Sequence, residues 1–198
     1  MHNNYNLTQE KIFKNIRKNL INLDPDLTLQ YLLWLEKKTI YFRQSVLKVS
    51  YGSQPDDIKR GDIVWVEFGV NVGSELSDIF TKGHYAVVWA IDLGNVVVIP
   101  LTSRNSYNSM LCLDLGYVEG LNDNCLTKSY LKLDAIRSVS KRRIGRMANK
   151  ISGKMTLNDE QIKAIKRHIN NYFVKEDVQN YSNELDILNY IAYHIENN

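Results

Sequence analysis

The sequence contains little cysteine and no long apolar run. Cys112 and Cys125 are the only cysteines among its 198 residues, so a framework of several disulfides is excluded. No stretch of 18 apolar residues occurs, which excludes a typical membrane-spanning helix. Residues 1–6 are polar and lack the basic-then-apolar pattern of a secretory signal. We therefore expect a cytoplasmic protein that does not bind a membrane.

The usual motifs for metals and cofactors are also missing. The four histidines, at positions 2, 84, 168 and 194, lie far apart and show no ligand spacing. Neither a glycine-rich phosphate loop nor a nucleophile elbow is present. We therefore expect no metal site and no cofactor.

Acidic residues are missing from one segment, which is strongly basic. The chain as a whole carries a net charge of only +3, too little to indicate nucleic-acid binding by itself. Between Ala135 and Asn158, however, there is no Asp or Glu, and a concentrated basic segment is typical of a surface that binds a polyanion. A solvated basic face is the alternative. The segment's seven cations are Arg137, Lys141, Arg142, Arg143, Arg146, Lys150 and Lys154.

The N-terminal 57 residues predict two helices. Proline cannot continue a helix, so Asp24-Pro25-Asp26 separates them. The second helix, from about 26 to 49, carries an apolar stripe at heptad spacing that should be its buried face. Further leucines and isoleucines widen the stripe, which favours packing against a domain over a two-stranded coiled coil. The stripe consists of Leu32, Leu35, Phe42, Val46 and Val49.

The centre of the chain predicts several short strands without helices between them. Asp62–Phe68 alternates in hydrophobicity, and Leu93-Gly94 marks a tight hairpin between two Val-rich strands. Such spacing favours a small antiparallel barrel in an α+β protein. The predicted strands are 62–68, 84–92, 95–101, 110–115, 130–133 and 136–139.

Two helices should close the chain. Thr156 or Asn158 could cap the first, and Ile162, Ile165, Ile169 and Phe173 should form its buried face. A last helix is expected at about 184–196. We expect three segments: a helical extension (1–57), a barrel domain (58–175) and a C-terminal helix (176–198).

Several short motifs, each weak alone, occur in one order and at suitable spacing. Over roughly residues 58–174 the chain resembles the PemK/MazF family of toxins from type II toxin–antitoxin systems. The motifs are Gly61–Val66, Gly73-Ser74-Glu75, Tyr85–Val88, Ile99–Ser103, Leu133–Ile144 and Met155–Glu160.

The resemblance implies a fold, an activity and partners. It implies a dimeric SH3-like barrel that is a metal-independent endoribonuclease, a nuclease of the hydrolase type. The substrate would be single-stranded RNA, cut to leave 2′,3′-cyclic phosphate and 5′-hydroxyl ends. A cognate antitoxin would inhibit the toxin by laying a peptide across its RNA site.

The resemblance also implies site residues, with one departure. Thr102 matches the family's catalytic Thr or Ser, and Glu75 matches an acidic loop position. Where the family has a catalytic Arg-Pro pair, this chain has Lys82-Gly83-His84. His84 could replace the arginine as a base or acid, since histidine titrates near neutral pH. It could instead be an ordinary packing residue at the start of a strand.

Other residues are candidates for contact with RNA. Ser103 could donate a hydrogen bond to phosphate, and Lys82 or Arg104 could supply positive charge, as could Arg142 and Arg143 of the basic segment. Thr102 and Ser103 could alternatively be polar strand-end residues, and Glu75 could bind only loop backbone. Asp62 is expected to be structural.

Two further interpretations of the whole chain stay open. It could be a family member that has lost cleavage and binds RNA or protein. Its N-terminal extension could neutralise the site or serve as an interaction module.

Overall fold

The computed structural model describes residues 2–50, 52–73, 75–78, 83–106, 108–121 and 127–175. The chain divides into two compact units that do not follow sequence order. The first contains Met1–Thr102 and Ala135–Thr156, and the second contains Ser103–Asp134 and the described residues from Leu157 onward. The N-terminal extension therefore belongs to the same unit as the first three strands.

The first unit is built on an antiparallel sheet. Its strands are β1 Asp62–Val66, β2 His84–Asp92, β3 Asn95–Thr102, β6 Arg137–Ser140, β7 Ile144–Gly145 and β8 Met155–Thr156. They lie in the order β7, β1, β2, β3, β6, and β8 also pairs with β1.

The register of the sheet is set by its hairpin and by hydrophobic alternation. Asp92 pairs with Asn95, so Leu93 and Gly94 form the predicted two-residue turn. Leu93 adopts a positive φ of 46°, as tight hairpin turns require. Ala86 of β2 pairs with Val64 of β1 on one side and with Pro100 of β3 on the other. Side chains on one face of these strands therefore meet across the sheet.

That face is the hydrophobic core of the first unit. Its β-branched residues suit the pleated surface of a sheet, and the cluster has almost no exposed surface. Its members are Val64, Val66, Phe68, Ala86, Val88, Val96, Val98, Val139 and Ile144.

Asp62 has the structural role expected of it. Its carboxylate is fully buried and accepts hydrogen bonds from the Lys59 backbone N–H at 2.8 Å and the Thr156 hydroxyl at 2.6 Å. The Lys154 ammonium lies 2.8 Å away. These contacts tie β8 and the turn before β1 to the start of that strand.

Two helices precede the sheet, α1 (His2–Leu20) and α2 (Pro25–Val46). Asp24 caps α2 by accepting from the Leu27 N–H at 2.9 Å, and Pro25 occupies its first turn, where no donor is lost. The helix break at 24–26 is thus confirmed.

The predicted packing face of α2 is wrong. Leu32, Phe42, Val46 and Val49 are all exposed, and Leu35 is only half-buried. The buried residues of α2 are Gln30 and Trp34. The surface next to α2 carries the Glu67 carboxylate, the Arg143 guanidinium and Gly69. These groups favour contact with the polar and aromatic face of α2.

The second unit contains a hairpin and a helix: β4 (Cys112–Asp114), β5 (Tyr130–Lys132) and α3 (Asp159–Ile169). Asn158 caps α3 in a complete capping box with Gln161, so the cap is Asn158, while Thr156 lies in β8.

The predicted buried face of α3 is confirmed in part. Ile165 is fully buried and Ile162 and Ile169 are half-buried, but Phe173 is exposed. A π-helical turn follows from Asn170. It holds more residues per turn than an α-helix, which rotates Phe173 off the buried face. The helix predicted at 184–196 lies outside the described residues.

The predicted α+β class with an antiparallel sheet is confirmed. Among the described residues of the first unit, the pairings give an open strand order in which β6 and β7 stand at opposite edges. They do not establish a closed barrel. No helix in the described part of the chain is long and apolar enough to cross a membrane.

Candidate active site

His84 begins β2 and forms a close pair with Asp78. The Nδ1 atom of the imidazole lies 2.7 Å from Oδ1 of Asp78. The Asp78 side chain is 2% exposed, whereas the His84 ring is 30% exposed. A carboxylate can only accept, so Nδ1 must carry the proton that is shared with Asp78. In the neutral ring this leaves Nε2 as the acceptor, which is the protonation state that a general base needs.

Asp78 is held in place by the chain reversal around Gly69. The Gly69 N–H donates to Asp78 Oδ2 at 2.6 Å, and the Asp78 N–H donates to the Gly69 carbonyl at 2.9 Å. Within the loop, the Asn71 side chain donates to the Leu76 carbonyl at 2.6 Å. Both carboxylate oxygens of Asp78 therefore have partners, and its orientation is fixed before any ligand binds.

Thr102 is the last residue of β3, the strand that pairs with β2. The recorded pairing of the two strands ends at Ala86 and Pro100. His84 and Thr102 each lie two residues beyond that pair, at the same end of the two strands. On the other side, His84 pairs with Val66 of β1. The histidine and the hydroxyl residue thus lie at the same end of neighbouring strands of the sheet.

A cation packs against the same cluster. The ring of Phe68 contacts the His84 ring edge-to-face, with centroids 6.2 Å apart, and the Arg137 guanidinium carbon lies 5.3 Å from the Phe68 centroid. Arg137 comes from β6, opposite Val98. A guanidinium over an aromatic ring keeps its charge close to an apolar surface. The fold thus brings Arg137, a cation of the basic segment, to the ring that His84 also touches.

Arg143 lies in the same unit and is half-buried. Its guanidinium donates to the Glu67 carbonyl at 2.7 Å and to the Phe68 carbonyl. Burial lowers the pKa of Arg143, while the negative charges of Asp78 and Glu67 act in the opposite direction. Arg143 is therefore a half-buried counter-charge near Asp78, hydrogen-bonded to the two residues that follow β1.

Most cations of the basic segment bind the chain itself. Arg142 donates to the carbonyls of Gln44 and Val49, and Arg146 donates to the Gln54 carbonyl and Asp56, each at 2.7 Å. Contact of these groups with RNA phosphate would require an exchange of partners. The RNA-binding roles of Arg142 and Arg143 stay predictions.

Four further residues were predicted to belong to the site: Glu75, Lys82, Ser103 and Arg104. Glu75 is exposed in the loop between β1 and β2, and its N–H donates to the Val72 carbonyl at 3.2 Å. Ser103 and Arg104 are exposed and directly follow Thr102 in the chain, but they belong to the second unit. Lys82 lies outside the described residues. The roles proposed for these four also stay predictions.

Sequence reasoning missed Asp78. Beyond Gly69 the loop contains two acidic residues, Glu75 and Asp78, and the family motif drew attention to the exposed one. Asp78 is six residues from His84 and belongs to no periodic pattern, so only the return of the loop to Gly69 shows their contact.

In the described part of the chain, no three His, Cys, Asp or Glu side chains form a group that could hold a metal ion.

Residues 59–173 match the model of a protein family described as PemK-like, MazF-like toxins of type II toxin–antitoxin systems. The match spans more than half of the chain. The chain belongs to this family. The predicted resemblance is thereby confirmed, and PemK-like toxins of this kind pair with an antitoxin. Helices α1 and α2 lie outside the PemK-like match. No curated protein matches the chain.

Proposed function

We propose that the protein is a metal-independent endoribonuclease and the toxin of a type II toxin–antitoxin pair. Its substrate is single-stranded RNA, and its products carry 2′,3′-cyclic phosphate and 5′-hydroxyl ends. The observation that supports this best is the buried Asp78 carboxylate bound to Nδ1 of His84, with Thr102 on the next strand. A histidine oriented by a carboxylate can accept a proton at Nε2.

In the proposed reaction the nucleophile is the ribose 2′-hydroxyl. Nε2 of His84 takes its proton, the 2′-oxygen bonds to phosphorus, and the 5′-oxygen leaves. The imidazolium then holds a proton that can return to the departing 5′-oxygen. Asp78 stabilises the imidazolium and keeps the ring oriented, as a carboxylate does for the histidine of a catalytic triad.

The phosphorane needs donors and positive charge. The Thr102 hydroxyl, and Ser103 after it, would donate to the non-bridging oxygens, which gain negative charge in the transition state. Arg137 would supply positive charge near His84 in place of the family's missing arginine, and Lys82 and Arg104 are the other candidate cations. Glu75 would contact bases, because its charge opposes phosphate.

We also propose the assembly that the family resemblance implies. The sheet would close as an SH3-like barrel, two copies would form a homodimer, and a cognate antitoxin would cover the RNA site. The protein would act in the cytoplasm and use no cofactor.

Cleavage of a long single-stranded RNA in EDTA tests the proposal. Wild-type protein should make discrete cuts with 5′-hydroxyl ends, and His84→Ala and Thr102→Val should abolish them. Asp78→Asn should retain a slow residual activity, because the ring remains but its orientation and protonation are no longer set. His2→Ala, at the start of α1, is the matched histidine control and should cut normally. Intact RNA with wild-type protein would refute the nuclease; salt-sensitive RNA binding without cuts would favour the non-catalytic RNA-binding alternative.

A further inference from the structure

Helix α2 lies outside the family match, yet it contacts the loop that holds Asp78. Its one deeply buried aromatic residue, Trp34, is 7% exposed and packs on Gly69. A Cβ atom built on Gly69 would lie 1.9 Å from the Trp34 ring. Gly69 also adopts φ of +74°, which side-chain-bearing residues rarely adopt. The absence of a side chain there thus lets the indole lie directly on the backbone.

Gly69 is also the residue that fixes Asp78. Its N–H binds Asp78 Oδ2 and its carbonyl accepts from the Asp78 N–H, while the other carboxylate oxygen binds His84. Trp34, Gly69, Asp78 and His84 therefore form one continuous series of contacts. A shift of the Gly69 backbone would move the carboxylate that orients the histidine.

Glu67 and Arg143 make further contacts with α2. Glu67 accepts from the Lys37 ammonium at 2.6 Å and from the Tyr41 hydroxyl. The Arg143 guanidinium carbon lies 5.0 Å from the Trp34 ring centroid. These contacts and the Trp34–Gly69 contact place α2 along residues 67–69, where β1 ends and the loop begins.

We propose that Trp34 is a positioning residue: by packing on Gly69 it holds Asp78 where it sets the tautomer and orientation of His84. The N-terminal extension then completes the active site. This inference rests on the proposed nuclease function for its catalytic part, but not for its structural part.

A neutralising role for α2 has less support from these contacts. The carbonyls of Glu67 and Phe68, which directly follow β1, already bind Arg143. Release of α2 would leave Arg143 occupied. It would free Arg142 from the Gln44 carbonyl and would remove the ring that covers Gly69.

The test uses the full chain and two independent measurements. The first is the tautomer of His84, observed through its ring ¹⁵N shifts at a pH where the ring is neutral, with His84→Ala to assign the signal. Wild type should carry its proton on Nδ1. Trp34→Leu should lose this preference, and Trp34→Phe, which keeps an aromatic ring, should retain part of it.

The second measurement is RNA cleavage across pH. A displacement of about 1 Å can cost about 100-fold in rate, so Trp34→Leu should lower kcat by about 10- to 100-fold and change the pH profile. Trp34→Phe should lie between wild type and Trp34→Leu. Phe42→Leu, on the same helix but 71% exposed, should match wild type in both measurements.

The two proposals can fail separately. If wild type cuts RNA and Trp34→Leu, folded by circular dichroism, keeps the wild-type tautomer and pH profile, the positioning role is wrong. Faster cleavage by that variant would also overturn it and show that α2 covers the site. If Trp34→Leu does not fold, Trp34→Phe decides by the same criteria. If wild type does not cut RNA, the nuclease proposal fails, and the tautomer alone decides whether Trp34 positions His84.

Discussion

The contact between Trp34 and Gly69 predicts a strong energetic coupling between two residues 35 positions apart. Gly69→Ala introduces two costs. A left-handed backbone at a non-glycine residue costs about 1–2 kcal/mol. In addition, the new methyl group would lie 1.9 Å from the indole, so the ring must leave its site.

The second cost is comparable with the loss of the ring itself. Truncation of a buried tryptophan to alanine costs about 3–5 kcal/mol, and Trp34 is almost fully buried. Gly69→Ala should therefore cost about 4–7 kcal/mol in wild type, the sum of both terms. In a Trp34→Ala background the space is empty, and the same change should cost only the backbone term of about 1–2 kcal/mol.

Urea unfolding followed by far-UV circular dichroism measures this double-mutant cycle. Gly73→Ala is the matched control, because Gly73 also has a positive φ, +60°, but a Cβ there meets nothing within 4 Å. Its cost should be the same with and without Trp34. If Gly69→Ala costs the same in both backgrounds, within about 0.5 kcal/mol, the indole does not occupy that space and the positioning argument loses its basis.

Three further predictions concern stability. Asp62→Ala should cost about 3–5 kcal/mol in urea unfolding, because it leaves the Lys154 ammonium largely buried without its carboxylate. Asn158→Ala should cost about 1 kcal/mol by the same measurement, through loss of the α3 cap. Burial and the hydrogen bond to Glu67 raise the pKa of Tyr41. The folded chain thus keeps this proton when the unfolded chain releases it, and the free energy of unfolding should fall above a pH of about 10. Tyr41→Phe should remove that part of the decline, measured by urea unfolding between pH of about 9 and about 11; an unchanged slope would contradict the assignment.

The strands of the first unit could be predicted closely because their signals are local. Alternation and valine-rich runs gave β2 at the predicted bounds and β3 to within one residue. The Leu93-Gly94 turn and the Asn158 cap depend on residues at most three positions apart. The end of β1 was placed two residues too late. The chain leaves the strand after Val66 and reaches a glycine with positive φ at Gly69.

The face that α2 buries could not be predicted from its own pattern. Apolar periodicity marked Leu32, Phe42 and Val46, which the structure leaves exposed. The docked face is set by the surface it meets: a carboxylate at Glu67 and a backbone without a side chain at Gly69. Neither is visible in the sequence of the helix.

The sequence by itself determined the family, the antiparallel sheet and the candidate residues His84 and Thr102, because these depend on short motifs and on strand periodicity. Only the tertiary structure joined His84 to Asp78, brought Arg137 to Phe68 and placed Trp34 on Gly69. Each of those contacts joins residues whose separation in the chain follows no helical or strand period. Side chains that meet in this way are brought together by loop closure and packing, and local sequence patterns do not predict either.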